Sequence, residues 1–158
     1  MIVGKCFYFS VFVMSVAFSM YLIAVTPEWI DDTNRFFRNF VTHELLNVLG
    51  IIVAITLASA SNLHLQFNVL EDTVNERFLQ KTRLKLIRSV YLLICTFIAA
   101  VLLVIIKPLL GVSSVTQAFF NAVAVILLVV NFLTLVYVSR LAFKVPSKLD
   151  LLGGDGED

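Results

Sequence analysis

Two stretches near the middle of the chain, Leu45 to Ala60 and Val90 to Ile106, carry no charged residue. The first is broken only by Asn47, Thr56 and Ser59 among apolar and small residues, the second only by a Tyr, a Cys and a Thr. With their flanks both approach the ~20 residues that cross a hydrocarbon layer about 30 Å thick. Between them stand Glu71, Asp72, Glu76, Arg77, Lys81, Arg83, Lys85 and Arg88, which are costly in lipid and must lie in water or among headgroups. Residues 43–106 therefore read as two membrane spans joined by a polar, basic hairpin, and this pair sets the topology of everything else.

The hairpin has its own signals. Thr73 and Glu76 have the spacing of a capping box, in which hydroxyl and carboxylate each satisfy a backbone donor at a helix start. A helix starting near Thr73 and running through the third span to Ile106 would be about 50 Å long and project beyond the membrane. The second span is expected to continue to about Leu70 to match it. Leu63, Leu65, Phe67, Leu70, Val74, Phe78, Leu84 and Leu86 are more apolar side chains than a solvated hairpin needs, so one side of it should pack on something.

Composition agrees with a membrane chain. Hydrophobic residues make up 59% of the 158, where soluble domains hold roughly half. The net charge of +1 gives no footprint for direct nucleic-acid binding. Cys6 and Cys95 both lie in apolar runs and show no metal or redox spacing; the expectation is two small buried hydrophobes.

The predicted organisation is one all-α domain over residues 1–148, with spans at about 7–25, 43–62, 89–107 and 118–138, a hairpin at 63–88 and a disordered acidic tail at 149–158. A cleaved signal peptide is the competing reading of the first run, but the run is long for one and lacks a small-x-small cleavage site. After Pro27, the residues Trp29, Ile30, Thr33, Phe36, Phe37 and Phe40 fall on one helical face and Asp31, Asp32, Asn34, Arg35, Arg38 and Asn39 opposite. That pattern predicts an amphipathic helix over 27–40 lying in the interface, anchored by Trp29, Phe36, Phe37 and Phe40. Lys107 and Pro108 should close the third span, the Lys reaching back to the interface. Gly111 to Gln117 reads as a tight, uncharged loop. Nine of the twelve Lys and Arg residues fall in the N-terminus, hairpin and C-terminal tail, which by the positive-inside rule places these in the cytoplasm.

Candidate sites are few. His43-Glu44 begins like a zinc-protease motif, but Asn47 stands where the second His ligand is needed. No catalytic, cofactor or metal site is expected, because nothing pairs a nucleophile with a base. No Asp, Glu, Lys, Arg or His lies near the middle of a span, which argues against a proton-coupled transporter. On the second span Gly50, Ala54 and Ala58 recur every four residues, and Asn47 and Ser61 extend their face. Small residues so spaced let helix backbones approach closely; packing within the bundle, a subunit interface and a pore lining are all open readings. Asn121 and Asn131 in the fourth span must each meet another helix or water, since an unpaired amide is costly in hydrocarbon. The run from Lys81 to Arg88 is a positive-inside stop that meets anionic headgroups of membrane lipids. Joined to the apolar Phe67, Leu70, Val74 and Phe78, the basic Arg77, Lys81, Arg83 and Lys85 predict a docking surface for a soluble cytoplasmic protein.

The Gly, Ala and Ser-rich second span (LNVLGIIVAITLASAS), the basic hairpin (ERFLQKTRLKLIR) and the two closing spans resemble the small four-span membrane proteins of bacterial phage defence and exclusion, of the RexB type or like the KwaA membrane subunit of the Kiwa system. The resemblance is one of layout and implies a homo-oligomer in the inner membrane that either conducts ions when triggered or carries a cytoplasmic effector. The function expected is thus a non-enzymatic component of a bacterial defence or stress system that anchors a soluble partner; a pore-forming effector and a small transporter subunit are the alternatives.

Overall fold

The computed structural model describes residues 2–70, 76–110 and 113–143. They form five α-helices: α1 Ile2–Val25, α2 Arg35–Asn39, α3 Leu45–Leu70, α4 Glu76–Leu110 and α5 Ser114–Ala142. All but α2 are long and apolar enough to cross a membrane, so the chain is an all-α, multi-pass membrane protein.

The seam of the bundle is visible in the spacing of buried side chains. On α3 these are Leu45, Leu49, Ile52, Thr56, Ala60, Leu63 and Phe67; on α4 they are Thr82, Leu86, Ser89, Leu93, Ala100, Leu103 and Lys107. Steps of three and four keep one side of each helix turned to its neighbour, the pattern of helices crossing at a shallow angle. α3, α4 and α5 pack on one another, while α1 packs chiefly along α5. Val41, Leu45, Leu49, Ile52, Ala100, Leu103 and Ala124 form the central cluster. A second one, Ala60, Leu63, Phe67, Leu86 and Val138, lies toward the hairpin. At the opposite end Ile30, Ala118 and Ala122 are covered by Leu22, Ile23 and Phe37; the two alanines leave room for α1 and the segment after it to come close.

Several boundaries depart from the sequence expectation. Residues 27–40 are not one helix: Pro27–Trp29 is a single 3₁₀ turn, and Asn34 caps α2 by accepting from the Phe36 N–H at 3.0 Å. The Asp31 carboxylate accepts from the Thr33 N–H at 2.9 Å, a local bond that competes with helix formation. A kink at Val41 (φ −82°, ψ 57°) and Thr42 (φ −140°, ψ −145°) then separates α2 from α3. Pro108 does not close α4, which runs on to Leu110; so near the C-terminus the proline costs one bond of the last turn and interrupts nothing after it. Ser113 accepts from the Thr116 N–H at 3.2 Å and starts α5 at Ser114, which draws most of the expected loop into helix. Cys6 and Cys95 face outward instead of being buried. The capping box at Thr73 and the acidic tail lie outside the described residues.

The cluster toward the hairpin is testable. Phe67→Ala should lower stability in detergent by about 3 kcal/mol by opening a cavity. Leu65→Ala removes a side chain 62% exposed and should change it by less than about 0.5 kcal/mol. Thermal unfolding of the two purified variants makes the comparison.

Candidate functional site

The small-residue face of the second span is turned outward. Asn47, Ala54, Ala58 and Ser61 are exposed and Gly50 is half-buried, because the buried positions of α3 occupy the other side of the helix. A Cβ added at Gly50 would come no closer than 4.0 Å to the Phe97 ring, so a small residue is not demanded there by packing within the subunit. These residues share one face, and among the described residues only Gly50 on it is partly covered, by the Phe97 side of α4.

The hairpin residues separate. Phe67 is only 3% exposed, packed with Leu63, Leu86 and Val138; it is core and cannot contribute to a docking surface, since the buried spacing of α3 runs past the apolar span and includes it. Lys85 is exposed. Arg83 reaches across from α4 and donates through Nε to His64 Nδ1 of α3 at 3.3 Å, so it helps hold the hairpin legs together. Val74 and the side chains of Leu70, Arg77, Phe78 and Lys81 lie outside the described residues. Of the interfacial aromatics, Trp29 and Phe36 are 67% and 62% exposed, whereas Phe37 and Phe40 pack against the central cluster. Phe36 stacks on Phe40 with centroids 5.2 Å apart.

The structure also assembles a polar knot at the end of the bundle away from the hairpin. The segment between α1 and α2 pushes Ile30 and Asp31 inward, leaving them 6% and 2% exposed. Asp31 accepts a hydrogen bond of 2.5 Å from the Ser114 hydroxyl. Lys107 is 7% exposed and does not reach for the interface; its ammonium lies 2.7 Å from Asp32 Oδ1. Asn121, wholly buried, donates to the Ile30 carbonyl at 2.6 Å and to Asp32 at 3.1 Å. Gln117 accepts from the Asp32 N–H at 3.4 Å. Burial by itself would raise the Asp31 pKa, but hydrogen bonds from Ser114 and Thr33 outweigh it and hold the carboxyl below its ordinary value. The sequence signal for this knot was the run Asp31-Asp32-Thr33-Asn34, rich in turn formers; its partners on α4 and α5 stand at least 75 residues away. Asn131, also fully buried, donates to Thr96 Oγ1 at 3.1 Å and to the Leu127 carbonyl at 2.8 Å, so its NH2 group finds partners inside the bundle while its Oδ1 accepts from none of the described residues.

Chemically the knot is a fastening. Among the described residues no group of three His, Cys, Asp or Glu side chains is placed to hold a metal ion. The serine of the knot donates to the Asp31 carboxylate and so is spent within the fastening. No family model, curated protein or solved structure matches the chain.

Two outcomes follow from the knot. Asp32→Asn strands a buried ammonium and should cost about 3 kcal/mol, while adding Lys107→Met should restore much of that loss in the same thermal melt. Because the Asp31 pKa is depressed, its contribution is present above the ordinary carboxyl pKa of about 3.9 and is lost as pH falls through the lower folded value. Asp31→Asn should therefore narrow the gap to the parent protein in melts below about pH 4, and leave a constant gap from pH 5 to 8.

Proposed function

We propose that the protein is a non-enzymatic, homo-oligomeric membrane subunit that holds a soluble cytoplasmic protein at the bilayer through its hairpin. The observation that carries this is the outward side of α3, where Ala54 and Ala58, flanked by Asn47 and Ser61, are exposed and Gly50 is half-buried. In lipid there is no hydrophobic drive between helices, and surfaces of small residues associate through close backbone packing; a second copy of α3 suits that surface. The hairpin legs, held by the Arg83 to His64 contact and the Phe67 cluster, would then present the Lys85 side and the hairpin tip to a partner. Positive-inside counting assigns this end to the cytoplasm, and the layout resemblance implies a bacterial inner membrane. The layout resemblance supports a place in a bacterial phage-defence or stress system.

A conducting role is the second reading, and one observation shapes it. Leu45, Leu49, Leu93, Val138 and Val41 are all at most 2% exposed and fill the α3, α4 and α5 seam along its length. A path for ions would therefore lie between subunits, along α3.

Gly50→Leu or Ala54→Leu should lower the oligomer seen in mild detergent without lowering the melting temperature of the monomer. Size-exclusion chromatography with light scattering reads the first and a thermal melt the second; an unchanged oligomer removes α3 from the interface. Reporter fusions at Asp72 and after Lys148 should both report cytoplasm. Replacing Leu70 and Phe78 with Ser should abolish co-purification of a soluble partner while the oligomer persists. Conductance across liposomes containing the parent protein and absent with Ala54→Leu would replace anchoring by the pore reading.

A further inference from the structure

A groove opens on the side of the molecule away from the exposed α3 residues. α1 packs along α5 and leaves a cleft of about 410 Å³ over it, between α1 and α4, lined by Tyr8, Phe12, Lys85, Arg88, Leu92 and Tyr137 among others. Its volume falls in the range of small-molecule sites, roughly 300–1,000 Å³. The cleft is graded along its length. Phe12, Leu92, Val130 and Leu133 make its deeper part apolar, while Lys85 and Arg88 stand at the hairpin end. Arg140 of α5 lies against Tyr8, its guanidinium 5.7 Å from the centre of that ring.

Three features of this cleft are unspent. The Tyr8 hydroxyl is buried and has no hydrogen-bond partner among the described residues. Ser89 and Thr134, two further hydroxyls of the lining, are already turned to their own helix, donating to the Lys85 and Val130 carbonyls at 3.0 and 2.8 Å. Lys85 and Arg88 are exposed and form no ion pair with a described carboxylate. A cluster of cations with one orphaned hydroxyl, continued by an apolar trough running toward the middle of the span, is complementary to an amphiphile with a negative head and a hydrocarbon tail. The basic residues sit where the apolar part of α4 begins, which is the depth of a headgroup phosphate.

We propose that this groove is a binding site for one anionic phospholipid, its phosphate held by Lys85 and Arg88 with the Tyr8 hydroxyl donating to it, and one acyl chain lying along Phe12, Leu92, Val130 and Leu133. The volume admits one chain; the other remains in the bilayer. The Tyr8 contact distinguishes the site from a diffuse attraction of basic residues to an anionic surface, because a buried hydroxyl gains a partner only when the headgroup enters.

The test uses the full-length protein in nanodiscs or mixed micelles, with spin-labelled phosphatidylglycerol and phosphatidylcholine as probes. The parent should retain phosphatidylglycerol at least tenfold more tightly than phosphatidylcholine. Lys85→Gln with Arg88→Gln should abolish that preference, whereas Arg35→Gln with Arg38→Gln at the other end should keep it. Leu133→Trp fills the trough, leaves the charges in place, and should lower retention tenfold or more. Tyr8→Phe removes only an orphaned hydroxyl, so it should keep the lipid-free melting temperature and weaken phosphatidylglycerol retention several-fold. That variant tests the site even where the others fold poorly. Equal retention of the two lipids by the parent overturns the proposal. So does Tyr8→Phe without effect, or inorganic phosphate displacing the lipid while Leu133→Trp changes nothing, which would mark a simple anion site.

Discussion

A lysine ammonium that is 7% exposed at the end of a membrane span persists only because a carboxylate lies 2.7 Å from it, since an unpaired charge in that position carries a penalty of several kcal/mol. That pairing fixes more than two side chains. Asp32 belongs to the segment that leaves α1, so holding it against Lys107 and Asn121 anchors the link between α1 and the three-helix seam. Ile30 is carried inward by the same turn and fills the space between Ala118, Ala122, Leu22 and Ile23. α1 has little else to hold it at this end, because most of its large side chains, Phe9, Met14, Phe18 and Met20 among them, point away from the bundle. In lipid that outward face gains nothing by burial, so the position of α1 rests on small-residue contact with α5 and on this fastening.

The four spans were legible because they are negative statements: long runs without a charge leave few alternatives. The choice of which face of each span turns inward was legible only in part. Gly50, Ala54 and Ala58 suggested close packing somewhere, and the structure turns them outward, since Leu45, Leu49, Ile52 and Thr56 fill the seam instead. Phe67 was misplaced for a related reason. Counting residues across the bilayer puts it in the hairpin, but the three-four spacing that buries Ala60 and Leu63 continues one turn further and buries Phe67 as well. Packing follows helix periodicity and does not stop at the water boundary.

The segment 26–44 shows the opposite limit. Its aromatics have a helical period, and the period was read as a single interfacial helix. Asp31 and Asn34 defeat that reading by bonding to backbone N–H groups two residues on, which supplies locally what helix continuation would have supplied. The helix is broken, and the breaks free Asp31 and Asp32 to reach partners on α4 and α5 that no local pattern reveals. Lys107 gave a misleading signal for the same reason: a basic residue at a span end ordinarily reaches to the interface, and only the arrival of a carboxylate from 75 residues away makes burial the better solution.

The basic side chains at the hairpin end serve two masters in this scheme, and charge arithmetic relates them. A soluble partner steered by positive charge depends on the field of exposed cations, and Lys85 contributes to that field while also lining the groove beside Arg88. A phosphate seated there would neutralise part of the field closest to the bilayer and so weaken the steering of an acidic partner. None of the groove residues belongs to α3 and none of the outward small residues to α1, α4 or α5. Lipid occupancy and self-association therefore draw on separate atoms. Loss of the lipid should act on the approach of a partner, through Lys85, before it acts on the oligomer.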